Sequence, residues 1–348
     1  MKNVVVIGGG TGVYTVLSGL REYPYHLSAI VSMADDGGST GVLREEFGIL
    51  PPGDIRRALI ALSHSDKILA ELFNYRFKEG IVFRGHSLGN LLLTALERIT
   101  GSFDKAVKEA VKILNVKGQV IPVTLGKTKL HAELENGKII KGETNIDVPK
   151  HDGTLAIKRI FLKPSVSANK DALEAIAEAD AIILGPGDLY TSILPNLIVD
   201  GISNAIKHSS AKKIYIVNIM TKFGETYGFS ASDFLRIVQD YLEGDNIDYC
   251  VINTQKSSDR LLVKYKAQRD EFVVYNKNDV MLKYKHIVAE KLLRRGQFLR
   301  HDPEKLAKLL STIIDAKEKR KGKKNAIFGL WKGSLKTNSY FIFFLSIY

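Results

Sequence analysis

Continuous apolar runs alternate with amphipathic segments along most of the chain, and this alternation predicts strands that alternate with helices. The apolar runs typical of buried strands are Lys2 to Ile7, Leu27 to Met33, Ala181 to Leu184, Lys213 to Ile219 and Tyr249 to Asn253. Apolar residues at helical spacing lie after Gly12, at Ile55 to Leu62 and Leu88 to Ile99, after Ser102, at Asn196 to Ile206 and Ala231 to Leu242, and after Asp302-Pro303. We therefore predict an α/β fold with a mostly parallel sheet flanked by helices.

Between about residues 119 and 164 the pattern changes to short segments typical of strands. These segments are Val120 to Thr124, His131 to Leu134, Lys138 to Lys141 and Ile157 to Leu162. Asn136-Gly137 favours a hairpin turn, because both residues tolerate a positive φ. We predict a small β insertion at 119–164 within one domain covering residues 1–316.

Charge separates the C-terminal end from the rest of the chain. The 348 residues are 45% hydrophobic and 25% charged, which is typical of a globular protein, and the formal net charge is +12. Residues 317–348 contribute +7 of this charge, from eight Lys/Arg and one Glu. We predict a basic and then apolar tail without structure over 317–348, and we expect neither a nucleic-acid partner nor membrane insertion. Cys250 is the only cysteine, which fits a reducing cytoplasm.

A glycine-rich loop follows the first predicted strand and precedes a helix. It contains Gly9, Gly10, Thr11 and Gly12. Glycines let the backbone approach a phosphate closely, and a helix N-terminus supplies N–H donors. The loop matches neither the G-x-G-x-x-G fingerprint nor a Walker A motif. It indicates an anionic ligand, and the alternative is a tight turn between strand and helix.

Two adjacent acids follow the second predicted strand, in the segment Asp35-Asp36-Gly37-Gly38-Ser39. Ligands of open α/β sheets bind outside the carboxyl ends of the strands. Asp35 and Asp36 are therefore candidate Mg²⁺ ligands, and candidate catalytic residues if the protein is an enzyme. They are also suited to bind hydroxyl groups, together with Ser39. An ordinary turn is the alternative, since Asp and Gly favour turns.

Polar residues also stand at the starts of two later helices. Asp54 and Arg56 lie at the first, where Arg56 is a candidate phosphate ligand and Asp54 a candidate helix cap. Asn90 lies at the second, after His86, a candidate acid–base group. A structural role is the alternative for each of these residues.

A second glycine loop follows the strand Ala181 to Leu184. The loop and the helix after it contain Gly185, Gly187, Tyr190 and Thr191. Two such loops in one sheet are expected to face each other across a topological switch point, with room for a nucleotide diphosphate sugar. Asn218, at the end of the next strand, is a candidate ligand for a base, a sugar or a metal.

Two residues in the last third of the chain are candidate ligand contacts. Tyr265 lies on a predicted helix, where its ring could stack on a ligand ring. Arg300 precedes the final helix and is suited to bind an anion. Either residue could instead belong to the surface.

These blocks, in this order, resemble the gluconeogenesis factor family, the YvcK proteins of the CofD-like group. The matching stretches are Gly8 to Gly12, Asp35 to Ser39, Gly41 to Phe47, Pro51 to Leu62, Gly85 to Leu96, Gly185 to Gly201, Asn218 to Thr226 and Arg300 to Asp302. The resemblance implies a Rossmann-like α/β fold that binds UDP-N-acetylglucosamine or a related nucleotide, with Tyr265 and Arg300 as contacts. It also implies a cytoplasmic regulator of cell-wall precursor supply and cell shape during growth on gluconeogenic carbon, acting with protein partners of that metabolism.

Three alternatives stay open at this point. The first is a Mg²⁺-dependent nucleotidyl or phospho-group transferase similar to 2-phospho-L-lactate transferase, with Asp35, Asp36 and Asn218 as metal ligands. The second is binding of NAD without redox chemistry, since the dinucleotide fingerprint is broken. The third is a homo-oligomer in place of a monomer.

Overall fold

Strands in the described part of the chain form two separate sheets. The computed structural model describes residues 1–244, 246–257, 259–279 and 286–316, so the predicted tail at 317–348 lies outside it. The strands are β1 (Lys2–Gly8), β2 (Tyr25–Val31), β3 (Gln119–Pro122), β4 (Lys129–Leu134), β5 (Ile139–Lys141), β6 (Ile157–Lys163), β7 (Ala181–Leu184), β8 (Lys212–Ile216), β9 (Tyr249–Asn253) and β10 (His286–Glu290).

The larger sheet has seven strands in the order β10-β9-β8-β7-β1-β2-β3, and all its neighbours pair in parallel. Its central strand β1 is buried on both faces: Val4 and Val6 face one side and Val5 the other, and all three are at most 1% exposed. This burial explains the uninterrupted apolar run of β1. The predicted α/β fold with a mostly parallel sheet is confirmed.

Helices connect the strands and cover the sheet. They are α1 (Gly10–Leu20), α2 (Gly38–Phe47), α3 (Pro52–Leu62), α4 (Lys67–Asn74), α5 (Leu88–Thr100), α6 (Phe103–Ile113), α7 (Glu143–Asp147), α8 (Lys170–Ala177), α9 (Leu194–Leu197), α10 (Ile202–His208), α11 (Ala231–Tyr241), α12 (Asp259–Ala267) and α13 (Pro303–Asp315). The Ser102 side chain accepts from the Lys105 N–H at 3.3 Å, as an N-cap does at the start of α6. The Asp302 carboxylate accepts from the N–H of Glu304 at 3.1 Å and caps α13. Within the described ranges, no helix combines the length and the apolar character that crossing a membrane requires.

The β insertion is smaller than predicted. It contains β4, β5 and β6, which form an antiparallel sheet in the order β5-β4-β6, with the short α7 between β5 and β6. The predicted turn at Asn136-Gly137 joins β4 to β5, and Gly137 has a φ of +82°. β3 instead pairs in parallel with β2 and belongs to the large sheet, as its register of Ser28 with Gln119 shows. A run of four apolar residues does not reveal which sheet it will join, so the predicted boundary at 119 was wrong.

The single helix predicted at Asn196 to Ile206 is interrupted. A π-helical turn at Leu189–Ile193 leads into α9, and α10 begins only at Ile202. Gly201, with a φ of +101°, ends the interruption, because this conformation suits glycine. The apolar spacing continues through the break and therefore concealed it.

β1 lies between β2 and β7, so the first half of the chain extends the sheet on one side and the second half on the other. The loops after β1 and β7 leave the sheet in opposite directions at this switch point and open a crevice at the carboxyl ends of the strands. This is the place where the sequence predicts a ligand.

Candidate functional site

The two glycine loops touch each other at the switch point. A Cβ atom added to Gly12 would lie 1.8 Å from the carbonyl oxygen of Pro186, so only glycine fits at position 12 where the loops meet. The Gly187 N–H also donates to the Asn218 side-chain oxygen at 3.5 Å, which joins the loop after β7 to the end of β8. Gly10 has a φ of +64°, which accounts for a second glycine in the first loop.

The loops line a cleft of about 300 Å³, here called the glycine cavity. Its lining consists of Gly9 to Gly12, Thr15, Pro186 to Asp188, Ser192, Asn218 to Lys222, Tyr265, Asp270 and Leu299 to His301. The structure thus brings together the predicted residues Gly9, Gly10, Thr11, Gly12, Gly187, Asn218, Tyr265 and Arg300. The Tyr265 hydroxyl accepts from the Leu299 N–H at 3.0 Å, which links α12 to the segment that carries Arg300.

A second cleft of about 410 Å³, here called the acidic cavity, adjoins the first. Gly10, Thr11, Asp188 and Ser192 line both. The rest of its lining is Asp35, Gly37 to Thr40, Gly53, Asp54, Arg56, Arg57, Arg76, Asn90, Glu143, Thr144, Asp147 and Thr191. The predicted residues Asp35, Ser39, Asp54, Arg56, Asn90 and Thr191 therefore share one cavity.

Three carboxyl groups crowd one side of the acidic cavity. Burial, and then the charge of Asp54, raise the pKa of Asp35. Burial and the charge of Asp35 raise the pKa of Glu143, the first residue of α7, to about 9. The Asp54 carboxylate lies against the first glycine loop, where a Cβ on Gly9 would be 2.4 Å from its Oδ2. These carboxyl groups repel one another, and a bound proton or cation would relieve that repulsion.

Asp36 does not join this group. Its carboxylate accepts from the backbone N–H groups of Glu143 at 3.2 Å and Thr144 at 2.9 Å, and so caps α7. Asp36 lines neither cavity, whereas Asp35 faces the acidic one. The structure therefore does not bring Asp35 and Asp36 together as adjacent metal ligands, because the Asp36 carboxylate is held by the docked α7. The magnesium site itself stays a prediction.

Gly185 and Tyr190 lie behind the second glycine loop instead of lining a cavity. Gly185 packs against Ile193, and the Tyr190 side chain is buried in the core. Burial raises the pKa of the Tyr190 hydroxyl. These two predicted contacts are corrected to supporting positions, since the π-helical turn directs Tyr190 inwards and leaves Thr191 and Ser192 at the acidic cavity.

An ion cluster that the sequence did not predict lies where the two cavities meet. The Lys222 ammonium contacts Asp147, lies 3.0 Å from the Asp188 carboxylate and lies 3.5 Å from that of Glu225. Burial lowers the pKa of Lys222, but the three carboxylates outweigh it and raise the pKa, so the ammonium stays charged. Burial and the charge of Asp188 raise the pKa of Glu225.

Glu225 supports the second glycine loop from below. It accepts from the Tyr190 N–H and from the Thr191 hydroxyl, each at 3.1 Å. Glu225 lies in the stretch Asn218 to Thr226 that carries the resemblance, but the sequence indicated no partner for it. Asp147 comes from the insertion, so no local signal predicts that it reaches Lys222.

Arg56 lines the acidic cavity together with the carboxyl groups. Its guanidinium donates to the side-chain oxygens of Asn90 and Asn74, each at 3.0 Å, and to the Phe73 carbonyl at 3.3 Å. Burial, and then the charges of Arg57 and Arg76, lower its pKa to about 10, so it stays protonated at neutral pH. Asn90 in turn donates to the Ser39 hydroxyl at 3.3 Å, and Ser39 lies 3.3 Å from His86 Nδ1.

A larger cleft of about 740 Å³ lies elsewhere, between α6, α8 and the residues Asn3, His26 and Gln119 near the amino ends of β1, β2 and β3. It contains neither glycine loop. Ligands of this fold class bind at the carboxyl ends of the strands, so chemistry and position both favour the two smaller cavities.

Known proteins similar to this chain agree with the fold and the motifs. The family described as 2-phospho-L-lactate transferase CofD matches residues 4–293. A gluconeogenesis factor of Halalkalibacterium halodurans is 43% identical over 311 residues, which cover 89% of this chain and 95% of that protein. The gluconeogenesis factor of Bacillus subtilis is 40% identical, covering 89% of this chain and 98% of that one.

A crystal structure of a UPF0052 family protein from Bacillus halodurans superposes with a TM-score of 0.85 at 42% identity. It covers 89% of this chain and 99% of that chain. Matches of this length and identity cover both glycine loops, the acids after β2 and the insertion. The chain therefore belongs to the CofD family and, within it, to the proteins named gluconeogenesis factors.

Proposed function

We propose that this protein binds a nucleotide diphosphate sugar of the UDP-N-acetylglucosamine type in the glycine cavity. The observation that carries the proposal is the contact between the two glycine loops, at Gly12 and Pro186. Both loops line one cleft, and α1 begins there at Gly10. The first N–H groups of a helix have no acceptor within the helix, and a diphosphate is a ligand that suits such donors. A dinucleotide such as NAD satisfies the same donors and is the competing ligand.

Other residues of the cavity suit the remaining parts of such a ligand. The half-buried Tyr265 offers a ring for stacking, and Asn218 offers amide hydrogen bonds to a base or a sugar hydroxyl. Arg300 is exposed at the rim, where its guanidinium is suited to bind a phosphate oxygen. These assignments agree with the resemblance on which Tyr265 and Arg300 were predicted.

The cellular part of the proposal rests on the relatives named gluconeogenesis factor. We infer that this protein acts in the cytoplasm as a regulator during growth on gluconeogenic carbon. Binding of the nucleotide sugar would signal the supply of cell-wall precursors to protein partners. Through these partners the protein would affect cell shape. The predicted homo-oligomer stays a prediction.

Calorimetry with UDP-N-acetylglucosamine tests the ligand. The wild-type protein is expected to release heat and to saturate, while Arg300→Gln weakens binding about tenfold, the effect of one lost charge-assisted hydrogen bond. Arg295→Gln is the matched control, because Arg295 is exposed and lines neither cavity. Saturation by NAD with no response to UDP-N-acetylglucosamine would replace the proposed ligand with a dinucleotide.

A second candidate is a Mg²⁺-dependent transfer of a phosphorus-containing group, favoured by the match to the CofD family and by the crowded carboxyl groups. Asp35 and Asp54 would hold Mg²⁺, which would neutralise charge on the diphosphate in the adjoining cavity. The chain's own residues would position the ligand through the two glycine loops. Turnover of a nucleotide donor that needs Mg²⁺ and is lost in Asp54→Asn would support this candidate, and regulation without turnover would contradict it.

A further inference from the structure

Two arginines at one end of the acidic cavity have no acidic partner. Arg56 donates only to neutral oxygens, and Arg76 donates to the Gly85 carbonyl. Among the described residues, no carboxylate lies within 4.0 Å of either guanidinium, whereas the neighbouring Arg57 pairs with Asp54 at 3.0 Å. We call Arg56 and Arg76 the arginine end of the cavity.

The charge on Arg56 is buried as well as unpaired. Only 5% of the residue is exposed, and the charges of Asp54 and Asp35 act on it only from beyond 4.0 Å. A buried cation with no counter-charge in contact is costly unless an anion binds to it. Its Nη2 group makes no hydrogen bond to a described residue, and this atom is still accessible from solvent. Arg56 lines the acidic cavity, so this donor is open to a ligand there.

The carboxyl groups of the same cavity restrict what the ligand can be. Asp35, Asp54 and Glu143 offer hydrogen bonds to hydroxyl groups or oxygen ligands to a cation, and those of them that are ionised repel an anion. A ligand that fits both sets of residues carries an oxyanion for the arginines and hydroxyl groups or a bound cation for the carboxyl groups. The cavity shares Gly10, Thr11, Asp188 and Ser192 with the glycine cavity, so this ligand would lie beside the nucleotide diphosphate.

We propose that the arginine end binds the oxyanion, phosphoryl or carboxylate, of a second small ligand seated next to the nucleotide sugar. The position of that ligand rests on the proposed function, but the anion site itself rests only on Arg56 and Arg76. Ser39 and Asn90 connect to Arg56 through hydrogen bonds and hold its guanidinium in place. The site therefore has a fixed donor in Arg56 and a more exposed one in Arg76.

Calorimetry of the full chain tests the site with inorganic phosphate and with pyruvate as probes. Each is titrated into protein saturated with UDP-N-acetylglucosamine and into nucleotide-free protein. Binding of phosphate alone identifies a phosphoryl site, and binding of pyruvate alone identifies a carboxylate site. Heat from neither probe at millimolar concentration would overturn the proposal.

Variants locate the bound anion. Arg76→Gln is expected to weaken probe binding about tenfold, and Arg84→Gln, an exposed arginine of the same loop outside the cavity, is expected to leave it unchanged. Arg56→Lys keeps the charge but loses the planar donors, so it should also weaken binding. Equal binding by wild type and Arg76→Gln would overturn the proposal. Failure of UDP-N-acetylglucosamine to bind would contradict the proposed function alone, because the titrations of phosphate and pyruvate into nucleotide-free protein still test the anion site.

Discussion

At the scale of single residues, the site depends on charges placed where burial makes them expensive. Asp35, Glu143 and Glu225 all have raised pKa values, and burial is the largest cause for each. Lys222 compensates Glu225, but no Lys or Arg side chain among the described residues lies within 4.0 Å of the carboxylate of Asp35 or Glu143. The acidic cavity thus holds repulsion that a bound cation or a proton would relieve.

Glu143 makes the stability of the protein depend on pH. Its pKa is about 9 in the folded protein and near 4.5 in the unfolded chain, so the folded state binds more protons between these values. Stability therefore falls as pH rises through this window. We expect Glu143→Gln to raise the melting temperature by a few degrees at pH 8 and to leave it nearly unchanged at pH 4. An equal shift at both pH values would contradict this account.

Lys222 is expected to be the most sensitive residue of the ion cluster. Lys222→Met would leave three close carboxylates without their cation and should reduce the free energy of unfolding by roughly 3–5 kcal/mol. Lys207→Met is the control, because Lys207 pairs with the exposed Glu243 at 3.8 Å and should change stability by less than about 0.5 kcal/mol. Chemical denaturation measures both, and similar values for the two variants would refute the assigned role.

At the scale of elements, the β insertion completes the site, because α7 carries Glu143 and Asp147 to the acidic cavity. Asp36, at the end of the segment after β2, holds α7 by accepting from its first N–H groups. Lys222, after β8, holds its other end through Asp147. The insertion is therefore a wall of the acidic cavity, fixed at both ends of one short helix.

Loss of the Asp36 cap should loosen this wall. Asp36→Ala is expected to cost about 1 kcal/mol of stability and to increase hydrogen exchange at Glu143 and Thr144. Asp152→Ala serves as a comparison within the insertion, because Asp152 accepts only from Thr154 and lines neither cavity. Unchanged exchange around α7 in Asp36→Ala would show that other contacts hold the helix.

At the scale of the whole molecule, the parallel sheet and its two loops were predictable because their signals are local. The apolar run of β1 is followed directly by its glycines, and so is the run of β7. The switch-point rule then places the two loops together. The side-chain directions of Asp36 and Tyr190 were not predictable, since one depends on the docked insertion and the other on a π-helical turn. The meeting of Asp147 with Lys222 depends on tertiary packing and leaves no local pattern.

The most direct test of the central claim is a crystal structure of this protein with UDP-N-acetylglucosamine. We predict that the diphosphate lies between Gly10 and Gly187, with the Tyr265 ring and the Arg300 guanidinium against the ligand. Density for the ligand in the larger cleft beside His26 and Gln119, with the glycine cavity empty, would contradict the account.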